Sequence, residues 1–295
     1  MYRHNVGEIV IIDPAASLHP PHHMASPSTI PTPSREGQLI LWGSIDPAWV
    51  DEDALNDWWT NEHLPERVRL PGFQLARRYR ALEHKEGLNE YLALYQVSNV
   101  RDLISAEYLH ALNHPTIRTK QFMRCLMNLN RFACGSMWEK QSPKSVAVAR
   151  HTSNDSLFMV VCGPDDSITQ PRSLDMNPVL EHLSHDEHHP PVDIVHARLA
   201  MVSPNITAQG STSRSYDGVG FDTAPDNAII QPRAKTFVFL FDLCTPSTSA
   251  LTSLLSSTWF TTLNTLIESA GLHILHTNTY SLIATLAKDA IDAAA

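Results

Sequence analysis

The sequence predicts an α+β chain built from two tandem βαββαβ halves. Three observations predict it. Strand and helix patterns follow the order βαββαβ between residues 38 and 140, which is the ferredoxin-like unit. The same order returns between residues 156 and 287. Short stretches also recur in register: Glu62-His63-Leu64 with Glu181-His182-Leu183, Ala76-Arg77 with Ala197-Arg198, and Tyr91–Val97 with Phe237–Leu243 in apolar character. Each match is weak alone, but their shared order indicates a diverged duplication.

In the first half, Gln38 to Asp46 is a dense apolar run of β-formers and predicts a strand. Asp51 or Asp53 stands where a helix is capped, and Leu55, Trp58, Trp59 and Leu64 recur at near-helical spacing over 54–68. Pro71-Gly72 ends that helix. Phe73 to Tyr79 alternates, with Phe73, Leu75, Arg77 and Tyr79 expected on one face of a second strand. A polar turn through Lys85, Gly87 and Asn89 leads into a third strand, Tyr91 to Val97. Val100 to Leu112, with a further stretch to about Leu129, supplies a helix, and Leu129 to Trp138 closes the half as a strand.

In the second half, Ser156 to Cys162 predicts a strand, Pro178 to Leu183 a short helix, and Val192 to Val202 a strand. A long polar connection runs from Ser203 to Arg233. Thr236 to Leu243 is the next strand. Ser247 to Ala270 reads as one amphipathic helix stopped by Gly271, and Leu272 to Leu286 holds the last strand and a tail. The domain reading is a flexible Pro/His-rich leader over 1–37, a first half over 38–145 and a second, diverged half over 146–295.

Length and composition set limits. The 295 residues, 43% of them hydrophobic, suffice for a sizeable core. A net charge of -9 with no Lys/Arg block excludes the electrostatic footprint of a nucleic-acid binder and makes an anionic membrane a poor partner. No apolar run approaches the roughly 20 residues of a membrane helix, and no targeting signal is visible, so a cytoplasmic protein is expected. The four cysteines, Cys125, Cys134, Cys162 and Cys244, form no metal or redox spacing and are expected to be free thiols. Glycine-rich phosphate loops, a G-x-S-x-G elbow and a dinucleotide fingerprint are all missing, which disfavours nucleotide cofactors and serine-hydrolase chemistry.

The stretch Trp58-Trp59-Thr60-Asn61-Glu62-His63-Leu64-Pro65, followed by Leu70-Pro71-Gly72-Phe73 and Arg77-Arg78-Tyr79, resembles the dimeric α/β-barrel superfamily, and within it the EthD-like proteins. The resemblance covers about residues 38–140 well and 155–287 in outline. It implies two units whose sheets face each other around a pocket for an aromatic or polyketide-like compound, here with both units in one chain. A monomer (a pseudo-dimer) or a homodimer is compatible with that arrangement. Members include polyketide cyclases, decarboxylases, dehydratases, haem-dependent enzymes, cofactor-free monooxygenases and proteins with no known chemistry. No haem motif is visible, and no cofactor is expected.

His63 is the best single candidate for chemistry. A group titrating near neutrality suits enolisation, dehydration or decarboxylation. It follows Trp59 by four residues and Leu55 by eight, so the three share a helix face. On such a face a histidine is either hydrogen-bonded to backbone or sits in a cavity. Tyr79 and Arg77 are its expected catalytic partners, able to hold an enolate or carboxylate oxygen. Trp59, Trp42, Tyr91, Tyr95 and Asp46 are the expected substrate-binding residues, with Asp46 alternatively ending its strand. His182, His185, His188 and His189 look like a metal site on paper, but Pro190-Pro191 follow directly and a hydrated loop is the expected reading, with no metal assigned. His110 and His114 either line the pocket or lie on the surface. The sequence reading is therefore a cofactor-free lyase or cyclase of small-molecule metabolism, with a binding protein or a quinone-forming monooxygenase as alternatives.

Overall fold

The computed structural model describes residues 34–83, 86–142, 156–164, 174–185, 190, 192–221, 235–244 and 248–293. The leader up to residue 33, His188 and His189 of the histidine run, and the whole 222–234 segment lie outside these residues.

The elements of the first half are β1 (Gly37–Ile45), α1 (Glu52–Asp57) continuing through a π-helical turn (Trp58–His63) into α2 (Leu64–Val68), β2 (Phe73–Ala81), β3 (Asn89–Val97), a 3₁₀ turn (Val100–Ile104), α3 (Ala106–Asn113), α4 (Ile117–Met123) and β4 (Met127–Gln141). The second half has β5 (Ser156–Pro164), α5 (Asn177–Ser184), β6 (Ile194–Val202), α6 (Pro204–Ser211), a 3₁₀ turn (Arg214–Tyr216), β7 (Phe237–Leu243), α7 (Thr248–Leu255), α8 (Thr258–Ser269), β8 (Leu272–Ala287) and α9 (Lys288–Asp292).

The eight strands close into one barrel in the order β1-β3-β2-β8-β5-β7-β6-β4, every pair antiparallel. Within each half the order is the ferredoxin-like one: β4-β1-β3-β2 and β8-β5-β7-β6. The halves join through β2–β8 and β4–β6. Closure pairs every strand edge, so neither half is left with an open one.

Strand alternation then sorts the core into three layers. Ile40, Trp42, Tyr79, Leu92, Phe132, Leu157 and Met159 fill the barrel interior. Leu39, Leu41, Ala93 and Tyr95 face outward under the first-half helices, with Trp58, Trp59 and Leu64 packed on them. Phe158, Phe239, Phe241 and Trp259 form the matching outer layer of the second half. The duplication is visible side chain by side chain. Ala76 and Ala197 lie in corresponding outer layers, and Arg77 and Arg198 both reach Asp242.

Several boundaries differ from the sequence reading, each for a local reason. Phe73 does not share a face with Tyr79, because a bulge between Phe73 and Leu75 flips the alternation. Pro115 and the N-caps Ser105 and Thr116 split the 100–129 stretch into α3 and α4. The 247–270 stretch is two helices, interrupted where the Ser257 hydroxyl caps α8 by accepting from the Phe260 amide at 3.1 Å. The polar 203–233 connection is not structureless, since it contains α6 and a 3₁₀ turn. Gly271 ends α8 at φ 78°, as expected for a C-terminal glycine.

Candidate active site

The first-half helix that bears His63 begins where the Asp51 side chain accepts a hydrogen bond from the Ala54 amide at 3.0 Å. Glu52 and Asp53 in its first turn complement the helix dipole. Its middle widens into the π turn over Trp58–His63, closed by the Leu64 amide on the Trp59 carbonyl. Such turns are rare and frequent at functional sites. Here the wider turn buries Trp58, Trp59 and His63 together, although Trp58 and Trp59 are chain neighbours. Trp58 stacks on Phe122 at 5.3 Å and lies 4.8 Å from the His63 ring.

Between this helix and the outer face of β1 and β3 lies a narrow cleft with a free volume of about 20 Å³. His63, Arg67, Trp59, Tyr95, Tyr108 and Tyr216 bring the polar and aromatic groups to it, and Leu39, Leu41 and Met123 the aliphatic wall. His63 is 9% exposed, and among the described residues its Nδ1 has no hydrogen-bond partner. Glu66 Oε2 lies 3.7 Å from that nitrogen and 3.9 Å from Arg67 Nη2. Arg67 is 2% exposed, and neither Nη1 nor Nη2 has a hydrogen-bond partner among the described residues.

The electrostatics follow from burial. Desolvation, reinforced by the Arg67 charge, pushes the His63 pKa well below its usual 6.5, so the imidazole is neutral near pH 7. Burial raises the Glu66 carboxyl. Burial also raises the Tyr95 and Tyr216 phenols, which keeps both as hydrogen-bond donors. A neutral base, an under-bonded guanidinium and protonated phenols thus converge on one aromatic-walled space.

A second buried arginine supports the cleft from behind. Arg131 on β4 donates to the Thr207 carbonyl at 3.0 Å and the Tyr108 hydroxyl at 3.3 Å, with its guanidinium 5.8 Å from the Tyr216 ring centroid. Thr207, Ser215 and Tyr216 come from the β6–β7 connection of the second half, which crosses onto the first half. The Ser215 hydroxyl anchors it on the Leu112 carbonyl at 2.7 Å. Gly210 on α6 lets the backbone rest on Arg131: a Cβ there would lie 2.1 Å from Arg131 Nη2. Gly210→Ala is therefore expected to destabilise the protein by about 1–3 kcal/mol through overpacking. Helix propensity alone would favour alanine by up to about 1 kcal/mol. Chemical denaturation reads the sign, and a more stable variant would show that Arg131 has room to yield.

The expected site residues separate into two groups. His63, Trp59 and Tyr95 meet at the cleft. Tyr91 is on the same sheet face but binds Glu52 through its hydroxyl and lies 4.8 Å under the Arg78 guanidinium. Burial and Glu52 push its pKa to about 12. Tyr79, Trp42 and Arg77 are on the other side of the sheet: Tyr79 and Trp42 are core of the barrel interior, and Arg77 pairs with Asp242 at 3.6 Å. Alternation makes Arg78, not Arg77, the neighbour of Trp59, at 4.7 Å from its ring. Asp46 ends its strand, accepting from the Ala48 amide at 2.8 Å. His110 and His114 stack on each other on the surface, away from the cleft. Arg67, Tyr108, Arg131 and Tyr216 were not singled out by sequence. Arg67 had a usable signal, since it extends the Trp59–His63 spacing by one more step of four. Tyr216 lies in a polar connection with no periodicity and had none.

His182, the counterpart of His63, is buried at the end of α5 rather than in a hydrated loop, and its Nε2 meets the Trp259 carbonyl at 3.2 Å. Phenylalanines fill the space beneath. Cys134 and Cys162 are fully buried, with thiol pKa values pushed up by desolvation.

No protein-family model and no curated protein sequence matches the chain. Among solved structures, an anthrone oxidase-like protein superposes with a TM-score of 0.53 at 10% identity, over 86% of this chain and 94% of that one. A candidate monooxygenase of Fusobacterium nucleatum gives 0.49 at 7% identity, over 86% and 95%. Another from Lactobacillus acidophilus gives 0.44 at 8%, over 86% and 97%. At these identities the likeness is one of fold. The shared fold is an eight-stranded antiparallel α/β barrel, with both four-stranded units in a single chain. No helix among the described residues is long and apolar enough to cross a membrane.

Proposed function

We propose that this protein is a cofactor-free enzyme that removes a proton from an enolisable aromatic or polyketide-like molecule and holds the resulting enolate in the first-half cleft. The observation that carries this reading is the contrast between two related histidines. His182 is bonded to a backbone carbonyl, whereas His63 Nδ1 has no hydrogen-bond partner among the described residues and stands beside an under-bonded arginine at a cleft.

Neutral His63 is the base for an acidic C–H of the substrate. Glu66, 3.7 Å away, stabilises the imidazolium that forms. Arg67 donates to the enolate oxygen, and the raised phenols of Tyr95 and Tyr216 stay protonated to donate alongside it. Trp59 and Tyr108 would flank a ring system, which the cleft of about 20 Å³ admits only by opening. The imidazolium then returns its proton, either to a departing hydroxyl in a dehydration or to the new alkoxide oxygen after ring closure; in a decarboxylation the enolate forms by loss of CO₂ instead, and its carbon takes a proton from solvent.

A second outcome, oxygenation of the same enolate, is favoured by the superposition on the anthrone oxidase-like protein. There the enolate carbon would be oxidised by O₂ to a quinone carbonyl, with one oxygen atom retained and the other leaving as water. Incubating the protein with anthrones and β-ketoacyl aromatics in D₂O tests the shared step. Deuterium should enter the acidic carbon, and stop entering in Arg67→Met. An oxygen electrode then divides the outcomes: uptake with substrate identifies oxygenation, and product without uptake identifies a lyase or cyclase. Ligand binding with neither exchange nor product rejects the enzyme reading.

A further inference from the structure

One mouth of the barrel carries polar groups that the cleft does not use. It is formed by the start of β1, the middle of β6 and the end of β4. A cavity of about 270 Å³, open to solvent, lies there between Glu36, Gln38, Ser136, Glu139 and Arg198. The Arg198 side chain is 3% exposed. Its Nη2 makes both bonds to Asp242, at 2.9 and 3.0 Å, while Nε and Nη1 have no partner among the described residues. Gln38, 4% exposed, likewise leaves its Oε1 without a partner. Buried polar groups are almost always satisfied, so two such residues on one cavity mark a missing ligand.

The charges select its class. Asp242 is one carboxylate facing two guanidiniums, since Arg77 also stands 3.6 Å from it. His196 spans Asp242 at 3.5 Å and Glu139 at 3.3 Å. Arg198 keeps the Nε–Nη1 edge of its guanidinium without a partner among the described residues, and a carboxylate fits such an edge. Gln38 Oε1 calls for a donor. Glu36 and Glu139 at the mouth disfavour a second negative charge and favour an ammonium or hydroxyl group.

We propose that this barrel mouth binds a small monocarboxylate carrying a neighbouring hydroxyl or ammonium group, as a site separate from the cleft. The two sites are on opposite sides of the sheet: Gln38 faces the barrel mouth, and its neighbour Leu39 lines the cleft.

Calorimetric titration of the full chain with lactate, glycine and acetate tests the proposal. Lactate and glycine should bind saturably and more tightly than acetate. Arg198→Gln should abolish binding, and Gln38→Leu should weaken lactate about tenfold, to the level of acetate. Binding should be unchanged in His63→Ala. Should Arg198→Gln not fold, the Gln38→Leu comparison decides alone. Absence of saturable binding overturns the proposal, as does binding that survives Gln38→Leu in full. Binding lost in His63→Ala or Arg67→Met places the carboxylate in the cleft and overturns it as well, leaving the enolate reading intact.

Discussion

Replacing His63 by glutamine is expected to lower turnover about 10²–10⁴-fold, the usual contribution of a positioned acid/base group. Glutamine is close in size to histidine, so the cleft keeps its shape while losing its base. The same change is expected to alter the pH dependence of stability. In the folded chain His63 is held neutral by burial and by Arg67, with a pKa well below 6.5. The unfolded chain therefore binds this proton more readily. The stability associated with neutral His63 is complete above pH 6.5 and is lost as pH falls toward the folded value. Denaturant titrations at pH 7.5 and 5 should show a shallower acid loss in His63→Gln than in the parent. Unchanged turnover would remove His63 as the base. An unchanged pH slope would show that the imidazole is solvated and not buried.

Asp242→Asn is expected to cost about 3–5 kcal/mol, the range for breaking a buried ion pair and stranding its partner. The Asp242 side chain is 13% exposed and holds Arg198 bidentately, with Arg77 and His196 beside it. Burial alone would raise its pKa, but Arg198, His196 and Arg77 outweigh burial and bring it down to about 2. Its charge therefore contributes roughly 2 kcal/mol above the unfolded value of 3.8, lost as pH falls through about 2. The variant lacks that titration, so its deficit should be full at pH 7 and narrow below pH 4. Urea unfolding at the two pH values measures both. A deficit under about 1 kcal/mol at pH 7 would mean that the cluster is solvated like a surface pair.

Much of the fold was legible because local rules set it. Dense apolar runs of β-formers placed β1, β3, β5 and β7, and Pro71-Gly72 and Gly271 ended helices for backbone reasons that need no partner. Gly72 has φ 83°, and a Cβ there would meet Asp102 at 2.7 Å or less. The repeated Ala-Arg and Glu-His-Leu stretches revealed the duplication, and with it the barrel. The shared helix face of Trp59 and His63 was also legible, from helical spacing, and so was the shared strand face of Tyr91 and Tyr95, from parity.

What failed did so where parity depends on long-range pairing. One bulge at Phe73/Leu75 reversed the shared face of Phe73 and Tyr79. No local signal says which strand face meets the helices and which meets the barrel axis, so Arg77 and Tyr79 were grouped with His63 although the sheet separates them. The sequence by itself determined a duplicated α+β chain with a histidine on the buried face of its first helix, because periodicity and turn chemistry are local. Only the tertiary structure decided that this histidine lacks the partner its twin has, that Arg67 and Arg131 stand behind it, and that Tyr216 crosses from the other half to complete the cleft. Those features depend on barrel closure, which brings residues more than 80 positions apart into contact, as Ser215 and Leu112 are.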